Sequence, residues 1–162
     1  MEKCKTILLL LVVFLNQSVA QEATYSNSVL APGYNQLSFD APNPGTYTLA
    51  SYKAAENGTV VDIDGGSKSL HEIFDNKVVL LNFMYSTCTD VNGCPLATAV
   101  FHKIKNILDK DPETGEQVSM ISLSFDPEND SPDVMKLYGD GTDNGIVDWK
   151  FLTTNSMNDL DP

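Results

Sequence analysis

Hydrophobic positions along this chain come in runs of two periods, and the runs alternate. Val78-Val-Leu-Leu-Asn-Phe-Met84 is apolar without alternation, the pattern of a central strand covered on both faces, usually in a parallel sheet. Leu96, Val100, Ile104, Ile107 and Leu108 then recur at the spacing of one helix face, while Lys103, Lys105 and Asp109 fall outside that stripe. The spacing predicts a helix from Pro95 to about Lys110, ended by Asp111-Pro-Glu-Thr-Gly115. Val118 to Phe125 is the next buried strand, broken by Asp126-Pro127. Ser131-Pro132 supplies an N-cap with proline at the first helical position, and Val134, Leu137 and Tyr138 face inward before Gly139 stops the helix. Trp149-Lys-Phe-Leu-Thr153 is a third sheet strand.

Ahead of these elements, Thr46 to Ser51 and Gly58 to Ile63 are two short stretches rich in β-formers, the second closed by Asp64-Gly-Gly66, and together they predict a small N-terminal β-hairpin. Ser69-Leu-His-Glu72 fits a capping box, with Leu70, Ile73 and Phe74 on one face of a short helix. Strands and helices alternate throughout, which implies an α/β sandwich with right-handed crossovers.

The first 20 residues stand apart. Lys3 and Lys5 precede an apolar stretch from Ile7 to Leu15, and Ser18-Val-Ala20 is a small-x-small cleavage site, so residues 1–20 are expected to be a secretory signal peptide. Its apolar core is too short to span a bilayer, and the mature protein is expected to be soluble after cleavage. Residues 21–45 are a polar lead-in without a sustained period, and one domain is expected over residues 46–162. The chain has a formal charge of -12, and the leader's two lysines and one glutamate carry +1 of it, so the mature chain bears -13. Such acidity argues against a nucleic-acid partner, which needs a basic face to replace counterions.

Leader removal also takes Cys4 and leaves only Cys88 and Cys94. In an exported protein, one reading of such a pair is a structural disulfide. Their position offers more. They bracket a polar loop between the strand ending at Met84 and the helix opened by Pro95, with Cys94 expected as the cap of that helix. Unpaired N–H groups and the helix dipole at such a junction stabilise thiolate, the form that attacks disulfides and binds soft metals. The pair can therefore do redox chemistry, hold copper(I), or both.

Three motifs carry a resemblance to a known family. They are Val-Leu-Leu-Asn-Phe-Met-Tyr-Ser-Thr-Cys88 with Cys94-Pro, then Ser124-Phe-Asp-Pro-Glu-Asn-Asp-Ser-Pro-Asp-Val-Met-Lys-Leu-Tyr-Gly139, and then Trp149-Lys-Phe-Leu-Thr153. In sequence and in order, from about Thr46 to Thr154, they resemble the SCO/SenC family. The resemblance implies a thioredoxin-like fold and a copper-binding cysteine pair. It also implies delivery of copper to, or reduction of the thiols of, the CuA site of cytochrome c oxidase, with the oxidase subunit carrying that site or another copper acceptor as partner. The cofactor implied is a copper ion, Cu(I), with Cu(II) in the complete protein. With the leader of residues 1–20, the expected localisation is export, to the periplasm of a bacterium.

The chain departs from the family pattern in the cysteine loop, where five residues replace the usual three, and in the third ligand. The family takes that ligand from a distal histidine, which is expected here beyond Pro162, together with a C-terminal hairpin and helix. Helical spacing puts His102 opposite the apolar stripe, and His71 lies in the first turn of the capped helix; both are expected to be surface histidines and not ligands. The loop from Asp140 to Asp148 alternates oxygen ligands, but Phe151 stands where an EF-hand needs its last carboxylate, so a solvated acidic loop is favoured over a calcium site. The rival to a metallochaperone is a periplasmic thiol-disulfide oxidoreductase using the same cysteines. A peroxidase reading is weaker, because Tyr85 replaces the threonine of a Thr-x-x-Cys pattern.

Overall fold

A computed structural model describes residues 39–160, apart from residues 41 and 44. The expected leader (1–20) and nearly all of the expected lead-in (21–45) lie outside the described residues. The order of elements is β1 (Thr59–Val61), β2 (Ser67–Ser69), α1 (Leu70–Phe74), β3 (Val78–Met84), α2 (Cys94–Leu108), α3 (Pro112–Gly115), β4 (Val118–Ser124), α4 (Pro132–Tyr138) and β5 (Asp148–Leu152), followed by a 3-10 turn at Met157–Leu160.

β3, β4 and β5 form a parallel sheet in that order, with Val78 opposite Val118 and Ser119 opposite Asp148. Both connections step in the same direction across the sheet, so crossovers of one hand lay α2 and α4 on the same face. That face holds Met84, Met120, Met135, Trp149 and Phe151, with Phe101, Leu108 and Tyr138 packed against them. The opposite face holds Ile121, Leu123 and Leu152 under Val60, Leu70 and Ile73, which come from β1 and α1.

The middle strand is β4, not β3. All seven residues of β4 are buried. β3 is an edge among the described strands, with Phe83 57% and Val78 64% exposed, contrary to the covered strand expected from its unbroken apolar run. An unbroken run shows which residues tolerate burial on both sides; neighbours decide whether burial happens.

The hairpin forms one step later in the chain than expected. β1 pairs with β2, Thr59 opposite Ser69, and residues 46–51 are exposed and carry no strand. The run Asp62 to Gly66 makes the turn itself. Asp62 Oδ1 accepts the N–H groups of Asp64 (3.1 Å) and Gly66 (2.8 Å), and its other oxygen meets Lys68 Nζ at 2.6 Å. Val61 and Thr153 then exchange backbone hydrogen bonds of 2.8 and 2.9 Å, tying the hairpin to the end of β5. The expected capping box is present, with Ser69 N–H donating to Glu72 Oε2 at 3.1 Å, and the Ser69 hydroxyl also donates to Asn57 Oδ1 at 3.0 Å.

Two helices present faces other than those their stripes suggested. On α2, the residues on the core are Cys94, Phe101, Lys105 and Leu108; Ile107 is 58% exposed, and Leu96, Val100 and Ile104 are half-buried. Lys105 is buried because its ammonium finds Asp109 and the Asn144 carbonyl. On α4 the buried residue is Met135, and Leu137 is 77% exposed. Gly139 ends α4 flush against β5, where an added Cβ would lie 2.5 Å from the Phe151 ring. The segment read as a simple helix stop, Pro112–Gly115, is itself the short helix α3, capped by Asp111.

Candidate functional site

The sheet delivers both cysteines to the carboxyl end of β3. Chain leaving Met84 makes a tight turn in which Cys88 N–H donates to Tyr85 O at 3.2 Å. The loop then makes a second turn, in which Asp90 Oδ1 accepts Asn92 N–H (3.0 Å) and Asp90 O accepts Gly93 N–H (2.9 Å). This Asx turn takes up the extra length of the five-residue loop and returns the chain to the start of α2. Gly93 is the N-cap, so Cys94 is the first helical residue and not the cap as expected.

That shift by one residue reassigns the thiolate. The Cys94 N–H at the helix start, the Cys94 thiol and the Tyr85 hydroxyl all favour thiolate at Cys88. These donors hold the Cys88 thiol below its ordinary range. Burial pushes Cys94 up, partly offset by the Tyr85 N–H, and the neighbouring Cys88 sulfur adds to the rise. Tyr85 in turn is pushed up by Cys88, which keeps its hydroxyl a donor. The arrangement is one cysteine favoured toward thiolate beside one held toward thiol, both half-buried and both free of a disulfide.

Neither histidine joins them. Among the described residues, no group of three or more His, Cys, Asp and Glu side chains is placed to hold a metal. His71 is exposed on α1, its Nε2 2.9 Å from Ala55 O. His102 is exposed on α2 with its ring edge-on to Trp149, centroids 4.9 Å apart. The Asp140–Asp148 loop is anchored from α2: Asp109 Oδ1 accepts the N–H groups of Ile146 and Val147, each at 2.9 Å, and Lys105 reaches Asn144 O.

Sequence reasoning missed Tyr85 and Asp130. Tyr85 stands in the sequence as a departure from a Thr-x-x-Cys pattern, with nothing to mark its link to the sulfurs, and Asp130 sits in a polar turn whose composition gives no sign of burial. A cleft of about 470 Å³ between the hairpin turn, α4 and β5 contains no cysteine in its lining. Its lysines are engaged, Lys68 by Asp62 at 2.6 Å, Lys136 by Asp64 at 3.7 Å and Lys150 by Asp148. No helix among the described residues is long and apolar enough to cross a membrane.

Comparison with known proteins adds to this geometry. The sequence model of the SCO1/SenC family matches residues 57–157. An SCO1 protein homolog of Bacillus subtilis is 31% identical over 98 residues, covering 60% of this chain and 48% of its own length. The chain thus spans about half the length of that curated relative. BsSco, a Sco-family cytochrome c oxidase assembly protein in which a disulfide switch was identified, matches with a TM-score of 0.52 and 31% identity, over 65% of this chain and 58% of its own. Copper-bound yeast Sco1 matches with a TM-score of 0.54 over 68% of this chain and 65% of its own, and at 20% identity this likeness speaks for the fold alone. The thioredoxin-like α/β architecture expected from the motifs is the architecture of these structures.

Proposed function

Because the chain belongs to the SCO1/SenC family, we propose that it binds copper(I) through Cys88 and Cys94 and passes the ion to an acceptor during assembly of cytochrome c oxidase. The observation that carries this reading is that one loop brings two free, half-buried cysteine sulfurs together at the amino end of α2, where the Cys94 N–H favours thiolate at Cys88. Two thiolates make a soft pair of the kind copper(I) prefers, and loading would release the Cys94 proton. Copper(II) would need an imidazole that neither His71 nor His102 is placed to give. The resident domain is that of residues 46–162, and the leader of residues 1–20 would direct it out of the cytoplasm, to the periplasm of a bacterium.

Anaerobic titration of the reduced full chain with copper(I), against a chromophoric chelator, should show one tight equivalent. It should vanish in Cys88→Ser and in Cys94→Ser. Tight binding that survives both substitutions, or none in the unaltered chain, would overturn the reading.

The same sulfur pair supports a second reading, thiol-disulfide exchange with a protein partner. Cys88 thiolate would attack the partner's disulfide and release one thiolate; Cys94, losing its proton to solvent, would attack the mixed disulfide and release the second. The partner gains two electrons and the chain leaves with a Cys88–Cys94 disulfide. Reduction of a model disulfide in stoichiometric amounts, abolished by Cys88→Ser, distinguishes this from an inert pair.

A further inference from the structure

Asp130, in the turn between β4 and α4, is 0% exposed. None of the ion pairs among the described residues includes it. A carboxyl group so placed is costly to bury unless donors surround it, and here they come from the ends of two neighbouring strands. Oδ2 accepts Ser86 N–H at 3.0 Å and the Ser124 hydroxyl at 2.5 Å, and Oδ1 accepts the Ser86 hydroxyl. Asp130 is itself held, its N–H donating to Asp126 O at 2.8 Å.

The Ser86 N–H and the Tyr85 carbonyl belong to one peptide group. Its N–H end is gripped by Asp130 and its carbonyl end by the Cys88 N–H at 3.2 Å. On the other side of the same residue, the Tyr85 N–H belongs to the preceding peptide and favours thiolate at Cys94. The orientation of the Tyr85–Ser86 peptide plane therefore bears directly on where Cys88 stands, and through Cys88 on its pairing with Cys94. We propose that Asp130 is a positioning residue for the thiol pair, acting by clamping the Tyr85–Ser86 peptide. Its copper consequence rests on the metal-binding reading above; its effect on the thiols does not.

The test uses the reduced full chain and three variants. Asp130→Ala removes the acceptors. Ser86→Pro removes the gripped N–H while suiting the second position of the Tyr85–Cys88 turn. Asp130→Asn keeps one oxygen for the Ser86 N–H. Each is measured for copper(I) affinity, for its thiol-disulfide equilibrium with glutathione, and for thermal melting. Asp130→Ala and Ser86→Pro are each expected to lose about tenfold in copper(I) affinity, as happens when a partner that orients a metal ligand is removed. The glutathione equilibrium should shift in the same two variants, and Asp130→Asn should stay near the parent in both readouts. If Asp130→Ala does not fold, Ser86→Pro decides alone. Lower melting with unchanged affinity and unchanged glutathione equilibrium would make Asp130 a structural staple and overturn the proposal. A parent chain that binds no copper(I) would sink the copper reading, and the glutathione equilibrium would still decide the positioning claim.

Discussion

Lys105 lies beneath α2 at 4% exposure, its ammonium 2.8 Å from Asp109 Oδ2. The Lys105 ammonium and the N–H groups of Val147 and Ile146 hold the Asp109 carboxyl below the ordinary 3.8. Removing the aspartate would strand a buried cation, so Asp109→Ala should cost about 3 kcal/mol or more in urea unfolding. Lys105→Met, which leaves Asp109 its two N–H donors, should cost clearly less. A depressed carboxyl stabilises the fold fully above its unfolded value and loses that contribution as pH falls through the folded one. The deficit of Asp109→Ala should therefore be constant above about pH 5 and shrink below it; a deficit unchanged down to the acid limit would refute the assignment. At the site, the Cys94 N–H favours thiolate at Cys88, making it the readier of the two. Iodoacetamide at neutral pH should label Cys88 before Cys94, as read by peptide mass spectrometry, and equal or reversed labelling would contradict the geometry.

Among the elements, α2 separates apolarity from burial. Of its five-residue stripe only Leu108 meets the core; Leu96, Val100, Ile104 and Ile107 are turned roughly 100° away from the face of Cys94, Phe101, Lys105 and Leu108, at 3.6 residues per turn. Ile107→Lys should accordingly change stability by no more than about 0.5 kcal/mol, whereas Phe101→Ala, which empties the contact with Trp149 at a centroid distance of 5.6 Å, should cost about 3 kcal/mol. Equal costs would mean that the stripe, not the observed face, carries the packing. The loop after α4 is similarly exacting. Gly145 has φ of +101 and an added Cβ would come within 2.5 Å of the Asp109 carboxylate, so Gly145→Ala should cost more than an alanine placed at exposed Gly58, where nothing stands within 4 Å. The boundaries of β3, β4 and α4 were legible because proline, glycine and serine punctuate them. The hairpin was misplaced because Asp62, a residue that reads as the end of a strand, uses its side chain to build the turn.

At the scale of the molecule, the outer edge of β3 pairs with no other strand among the described residues and is flanked by exposed Val78, Leu81 and Phe83. Edges of this kind invite pairing with a second chain. A formal charge of -12 opposes it by repulsion between copies, and salt screens that repulsion. Association of the chain in analytical ultracentrifugation should therefore increase with ionic strength and fall in Phe83→Lys. A monomer at all salt concentrations would show that the edge is already satisfied.

Period, punctuation and motif order were enough to determine an alternating α/β chain, the strand-loop-helix junction carrying Cys88 and Cys94, and the family. These features are local: each depends on residues within a few positions of one another, and local chemistry is what a sequence displays directly. Tertiary structure alone decided that β4 and not β3 is central and that Lys105 is buried. It decided too that the helix start serves the sulfur of Cys88 and that Asp130 lies under the cysteine loop. Each depends on what residues distant in sequence present to one another. Burial, charge pairing and N–H direction are properties of neighbours in space, and Ser86 meets Asp130 only after two strands have been laid side by side.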